Sequence, residues 1–138
     1  MSLSELISPL IGRWLLAWYF LTEAWGLAND WDHTIRDMTV KGLPVAPLLL
    51  ALALLVMFLG SLSLILGYQT RYGAVLLFAF VVIATVAIHD FWRMPAADQP
   101  AEYELFARNI AIAGGLLLLV GMGSGRFALD NGGGKKRR

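Results

Sequence analysis

The stretch LPVAPLLLALALLVMFLGSLSLILG, residues 43–67, contains no charged side chain. A helix needs about 20 mainly apolar residues to cross the hydrocarbon core of a membrane. A second charge-free run, YGAVLLFAFVVIATVAI at 72–88, is just long enough to cross as well. These two runs predict an integral membrane protein and argue against a soluble domain.

Two further apolar segments flank these runs, PLIGRWLLAWYFLTEAWGLA at 9–28 and FARNIAIAGGLLLLVGMG at 106–123. The chain has 138 residues, of which 58% are hydrophobic and 15% charged, whereas roughly 25% are charged in an ordinary soluble domain. We therefore predict an all-α fold, an integral membrane four-helix bundle forming one domain over residues 1–126. Its helices are expected at about 9–28, 46–67, 72–91 and 106–123.

The segments outside these helices are short. NDWDHTIRDMTVKGLPVAP, at 29–47, places apolar residues at partly helical spacing between charged ones, which predicts a short amphipathic segment between helices 1 and 2. His33 lies in this segment and is interpreted as a solvated surface residue. Residues 127–138 end in NGGGKKRR and are predicted to form a flexible basic cytoplasmic tail.

The distribution of charge predicts the orientation, because Lys and Arg are enriched in cytoplasmic loops. With four spans, both termini and the loop between helices 2 and 3 share one side. That side carries seven of the 11 basic residues but only Glu5 and Asp130 as acids. We therefore predict a multi-pass protein of the bacterial inner membrane with both termini cytoplasmic. Arg13, near the inner start of helix 1, is expected to snorkel to the lipid headgroups.

The chain has no cysteine, which excludes disulfides, thiol relay chemistry and cysteine-ligated iron–sulfur clusters formed by this chain alone. No metal site is predicted, and haem would lack a second axial histidine within the membrane. The basic tail is short and has no folded surface around it, so no nucleic-acid partner is predicted.

The candidate site lies at the outer ends of helices 1, 3 and 4, where ionisable and aromatic residues interrupt the apolar runs. Charges inside a span are costly and usually pair or face a cavity. One interpretation is a polar cluster that ties the helices together, with an arginine paired to nearby carboxylates. The other is an outer-leaflet quinone or lipid pocket, lined also by Phe91 and Phe106, in which Glu23 or Asp90 orients a histidine toward a quinone carbonyl. The candidate residues are Glu23, Trp25, His89, Asp90, Trp92, Arg108 and Asn109.

Five segments in order resemble the DoxX family of small four-helix bacterial membrane proteins. They are GRWLLAWYFLTEAWG (12–26), KGLPVAP (41–47), GSLSLILGYQTRYGA (60–74), HDFW (89–92) and FARNIAIAGGLLLL (106–119). The chain departs from that pattern at Leu27 and Met57, where members often carry lysine and glutamate, and at Arg108, where lysine is common.

The resemblance implies a link to respiratory or redox systems, since some members are subunits of a thiosulfate:quinone oxidoreductase and others accompany redox-protective enzymes. We predict a small inner-membrane subunit or anchor associated with a quinone-linked oxidoreductase and not catalytic alone. It has no covalently bound cofactor, and quinone is the expected ligand. The expected partners are the lipid bilayer, a membrane-associated redox enzyme and further copies of the chain. The alternatives are a non-enzymatic assembly factor or receptor, or a small-molecule transporter.

Overall fold

A computed structural model describes residues 2–131 of the chain. Within them all regular structure is helical, which confirms the all-α prediction, and the short amphipathic segment is the second helix. Two single-turn 3-10 helices lie at Phe91–Arg93 and Leu129–Asn131. The α-helices are α1 (Leu3–Asn29), α2 (Trp31–Val40), α3 (Ala46–Leu66), α4 (Thr70–Ile88) and α5 (Gln99–Met122).

The first helix begins well before residue 9 because a reciprocal cap starts it. The Ser2 hydroxyl accepts a hydrogen bond from the Glu5 amide at 3.3 Å, and the Glu5 carboxylate accepts one from the Ser2 amide at 3.1 Å. This capping box satisfies two of the amides that a helix start leaves unpaired. α1 then runs through Pro9, for 27 residues in all.

Three helical segments of the described chain are long and apolar enough to cross a membrane: Ala46–Leu66, Thr70–Arg93 and Gln99–Met122. α1 is longer than any of them, but Arg13 and Glu23 lower its apolar character. The chain is therefore a membrane protein with at least these three candidate spans.

The helices pack in sequential pairs. α1 packs against α3, α3 against α4 and α4 against α5, while α1 meets α5 less closely and α2 lies on α3 and α1. Small residues allow the closest approach: a Cβ on Gly60 would lie 2.5 Å from Leu77 Cγ, so a side chain on α3 would collide with α4 there. The buried core between the helices includes Ala17, Phe20, Met57, Leu64, Leu77 and Leu116.

The bundle has two ends, which we name by residues. The His89 end holds the last residues of α1 and α4 and the start of α5, and the Arg13 end lies opposite. After α5, residues 123–131 fold back across the Arg13 end, where the Asp130 amide donates to the Gly67 carbonyl at 2.8 Å. Residues 127–131, assigned to the tail by the sequence, thus contact the bundle. The basic residues 135–138 lie outside the described residues.

Candidate functional site

His89 lies where α4 stops and is held by an acid from α5. Its amide donates to the Thr85 carbonyl at 3.0 Å, which closes the last turn of α4. Its ring Nδ1 lies 3.0 Å from Glu102 Oε2, and the two side chains are 21% and 23% exposed. No residue within 2–131 hydrogen-bonds to Nε2. With Nδ1–H donated to Glu102, Nε2 can accept a proton or, once protonated, donate one.

Asp90, the next residue, pairs elsewhere. Its Oδ1 lies 3.1 Å from Lys41 Nζ, and the same ammonium donates to the Ile88 carbonyl. Lys41 therefore caps the C-terminal end of α4, where carbonyls lack helical partners, and ties it to the loop before α3. The acid that orients His89 is Glu102, and the expectation of Glu23 or Asp90 in that role was wrong.

Aromatic side chains gather beside the His89–Glu102 pair. The Phe91 ring lies 5.2 Å from Tyr103 and 5.3 Å from both Trp92 and Phe106, in each case edge to face. Trp92 remains 49% exposed at the surface of this group. Trp25 is 73% exposed on α1 and makes no ring contact with the group in the described part of the chain. The structure thus brings together three of the four aromatic residues proposed to line a pocket.

The remaining candidates meet between α1 and α5. The Tyr19 hydroxyl donates to Asn109 Oδ1 at 3.2 Å, and Arg108 Cζ lies 5.5 Å from the centre of the Tyr19 ring. Asn109 is only 8% exposed, whereas Arg108 is exposed. Glu23, one turn beyond Tyr19, is partly exposed and forms no hydrogen bond or ion pair within residues 2–131. The predicted single polar cluster is thus divided into two, and Arg108 does not pair with Glu23 or Asp90.

A third polar group, at the Arg13 end, was not predicted. Arg13 is 1% exposed and donates to the carbonyls of Leu64 at 3.1 Å, Pro9 at 3.4 Å and Phe127. The expectation that Arg13 snorkels to the headgroups was therefore wrong. It is buried because carbonyls from three segments satisfy its guanidinium.

Asp130 completes the group at the Arg13 end. Its carboxylate accepts from the amides of Gln69 at 2.6 Å and Thr70 at 3.0 Å, which caps α4. Burial alone would raise the pKa of Asp130, but the hydrogen bonds from Thr70 and Gln69 and the charge of Arg13 together lower it below its usual value. A cleft of about 470 Å³ opens beside this cap, lined by residues 69–72, 122–125 and 130–131.

Long apolar helices with their polar residues at the two ends define a small helical membrane protein. The DoxX family model matches residues 8–90, so the chain belongs to the DoxX family. The SURF4 family model also matches, over residues 52–137. No solved structure matches the chain.

Relatives match over most of the chain. The inner membrane protein YqjF of Escherichia coli K12 is 28% identical over 126 residues, 91% of this chain and 92% of that protein. The inner membrane protein YphA of the same organism is 30% identical over 122 residues, 88% of this chain and 86% of that protein. A surfeit locus protein 4 homolog of Drosophila melanogaster is 27% identical over 124 residues, which cover 88% of this chain but 39% of that protein.

Proposed function

We propose that the chain is an accessory membrane subunit of a quinone-linked oxidoreductase and contacts the quinone headgroup at His89. The observation that carries the proposal is the His89–Glu102 pair, whose Nδ1–Oε2 distance is 3.0 Å. A carboxylate that fixes one imidazole nitrogen orients the other toward a ligand and stabilises the protonated ring. Once protonated, Nε2 donates a hydrogen bond to a quinone carbonyl; it gives up that proton when the quinone is reduced and takes one up when the quinol is oxidised.

The surroundings of His89 suit such a ligand. Phe91, Trp92 and Phe106 form an apolar, aromatic surface beside the pair, and Trp92 is half exposed. A quinone ring is flat and stacks on such side chains, while its isoprenoid tail remains in the lipid. The electrons come from a partner enzyme, since the chain has no cysteine and the proposal assigns it no redox group of its own.

The proposed location is the bacterial inner membrane, since YqjF and YphA are both named inner membrane proteins. We further propose that α1 is a fourth span. It packs against α3, itself a candidate span, and its residues Ala17 and Phe20 belong to the buried core. The N–H donors of its buried Arg13 are satisfied by carbonyls within the chain, so the helix does not need water at that point.

The proposal is tested by quinone binding to the protein purified in a mild detergent. Short-chain ubiquinone is titrated against the native chain, His89→Gln and the matched control His33→Gln. His33 also lies beside a carboxylate, with Nδ1 3.1 Å from Asp37, but its side chain is 58% exposed on α2. Loss of a charge-assisted hydrogen bond predicts about tenfold or greater weakening for His89→Gln and no change for His33→Gln.

A second variant separates binding from folding. Glu102→Gln keeps an acceptor near Nδ1 but removes the negative charge beside the ring, so quinone affinity should fall while the melting temperature changes little. Equal quinone affinity in the native chain, His89→Gln and His33→Gln would contradict the proposal. The absence of saturable quinone binding by the native chain would favour the assembly-factor or receptor alternative.

A further inference from the structure

The seam between α1 and α5 is polar at the His89 end. We define the polar seam by Tyr19 and Glu23 on α1 and Arg108 and Asn109 on α5. Nearer the middle of the bundle the two helices touch, since a Cβ on Gly115 would lie 3.6 Å from Leu16 Cδ2. Beyond that point Tyr19 joins the two helices: its hydroxyl donates to Asn109 Oδ1, and the Arg108 guanidinium lies over its ring. The seam therefore carries polar side chains on both helices.

The α5 side of the seam offers donors that the chain does not fully use. Arg108 belongs to the candidate span Gln99–Met122, is exposed, and has no carboxylate of residues 2–131 within ion-pair distance. Its contact with the Tyr19 ring leaves most of its five N–H donors available. Asn109 uses Oδ1 to accept from Tyr19, while its Nδ2 has no hydrogen-bond partner in the described chain although the residue is more than nine-tenths buried.

The α1 side offers an acceptor nearer the His89 end. Glu23 lies four residues after Tyr19, about 6 Å nearer the His89 end along the helix axis. Its carboxylate has no ion-pair partner in residues 2–131. A charge exposed to lipid without a partner is costly, and so is an unpaired amide donor in an apolar setting. The Arg108 guanidinium, Asn109 Nδ2 and the Glu23 carboxylate form no hydrogen bond or ion pair with one another within residues 2–131. Their partners are therefore expected to come from the membrane.

A phospholipid carries the complementary groups in the matching order. Arg108 lies six residues into α5 from Glu102, or about 9 Å below the His89 end, and a guanidinium on its long stem reaches upward to a phosphate. Asn109, one residue deeper and buried, suits an ester carbonyl, which lies below the phosphate in a lipid. Glu23, nearer the surface, suits a headgroup ammonium. A headgroup with a primary amine therefore satisfies all three residues.

We propose that the polar seam binds a glycerophospholipid with a primary-amine headgroup. Arg108 holds the phosphate, Asn109 Nδ2 donates to an ester carbonyl, and Glu23 pairs with the ammonium. This site is distinct from the proposed quinone contact at His89 and does not depend on it.

The test measures lipid binding by native mass spectrometry of the detergent-purified protein. The probes are dioleoyl phosphatidylethanolamine, dioleoyl phosphatidylglycerol and dioleoylglycerol, which share their acyl chains. The native chain is expected to bind the ethanolamine lipid more tightly than the glycerol lipid, and dioleoylglycerol least. Arg108→Gln should weaken binding of both phospholipids about tenfold or more, whereas Arg36→Gln, an exposed arginine on α2, should change neither.

Two further variants keep the test informative if Arg108→Gln folds poorly. Arg108→Lys retains the positive charge but loses the planar guanidinium, which can bind a phosphate through two N–H groups at once. It should therefore give intermediate affinity for both phospholipids. Glu23→Gln should abolish the preference for ethanolamine over glycerol headgroups. Both variants should retain quinone binding, while His89→Gln should retain phospholipid binding, so the two proposals fail separately.

Three results would overturn the inference. The first is equal binding of dioleoylglycerol and the two phospholipids, because the phosphate would then contribute nothing. The second is equal lipid binding in Arg108→Gln and Arg36→Gln. The third is Arg108-dependent displacement of the lipid by millimolar inorganic phosphate, which would identify a site for a free anion.

Discussion

At the scale of single residues, Gly67 packs so closely against Arg13 that there is no space for a side chain at position 67. Gly67 ends α3 with φ +66°, a conformation that side chains disfavour. A Cβ there would overlap Arg13 Nη1 and lie 2.7 Å from Ala128 Cα. The sequence shows a lone arginine near a helix start, for which snorkelling is the simplest expectation. Two of the three carbonyls that bind Arg13, those of Leu64 and Phe127, belong to residues far along the chain, so the sequence around Arg13 does not reveal them.

Gly67→Ala should destabilise the protein by about 2 kcal/mol or more, because it adds backbone strain and displaces a buried guanidinium. Thermal unfolding in detergent, followed by circular dichroism, should show a clearly lower melting temperature. Gly12→Ala is the matched control, since a Cβ at Gly12 meets nothing within 4 Å. In a helix that change should be neutral or slightly stabilising. Equal melting temperatures for the two variants would show that Gly67 is not constrained in this way.

At the scale of elements, the sequence predicts the helices better than the segment that closes the bundle. α3 and α4 follow from charge-free runs, and α2 follows from apolar residues at helical spacing. Residues 123–131 contain glycines and no apolar period, so nothing local predicts that they pack. Their position depends on contacts with distant residues, the Asp130 bonds to Gln69 and Thr70 above all.

Asp130→Asn tests this closing segment through pH. The native pKa of Asp130 is lowered, so its charge stabilises the fold fully above the unfolded pKa of about 3.9. That stabilisation is lost as the pH falls through the lower, native pKa. The melting temperature of the native chain should therefore exceed that of Asp130→Asn at pH 7, and the difference should begin to shrink near pH 4 and disappear once the pH is below the native pKa.

Asp98→Asn is the control for that experiment. Asp98 occupies the N-cap position of α5, but its side chain forms no capping hydrogen bond. Its substitution should leave the pH dependence of the melting temperature close to that of the native chain. If the difference between Asp130→Asn and the native chain stayed constant from pH 7 to pH 3, the carboxylate charge would not be what stabilises the closing segment.

At the scale of the whole molecule, helix lengths predict how deep each residue lies in the membrane but not the direction in which its side chain points. All seven candidate residues lie in the half of the bundle that holds the His89 end, as residue spacing along the helices predicts. Which side chains meet depends on how each helix is rotated about its axis, and one sequence does not determine that. Thus His89 pairs with Glu102 and Arg108 lies on Tyr19, although the depths alone also allowed pairing with Glu23 or Asp90.

The number of spans determines on which side of the membrane each terminus lies. Four spans place both termini on one side, whereas the three most apolar helices alone would place them on opposite sides. We expect four spans. Arg13 donates a hydrogen bond to the Leu64 carbonyl on α3, and the Tyr19 hydroxyl donates to Asn109 on α5, so α1 is joined to the other helices both at the Arg13 end and toward the His89 end. The excess of Arg and Lys near the termini then predicts that both are cytoplasmic. Green fluorescent protein should fluoresce when fused to either terminus, and alkaline phosphatase should be active when inserted in the loop at residues 96–97 and inactive at either terminus. Fluorescence from one terminal fusion with phosphatase activity at the other would show that α1 does not cross the membrane.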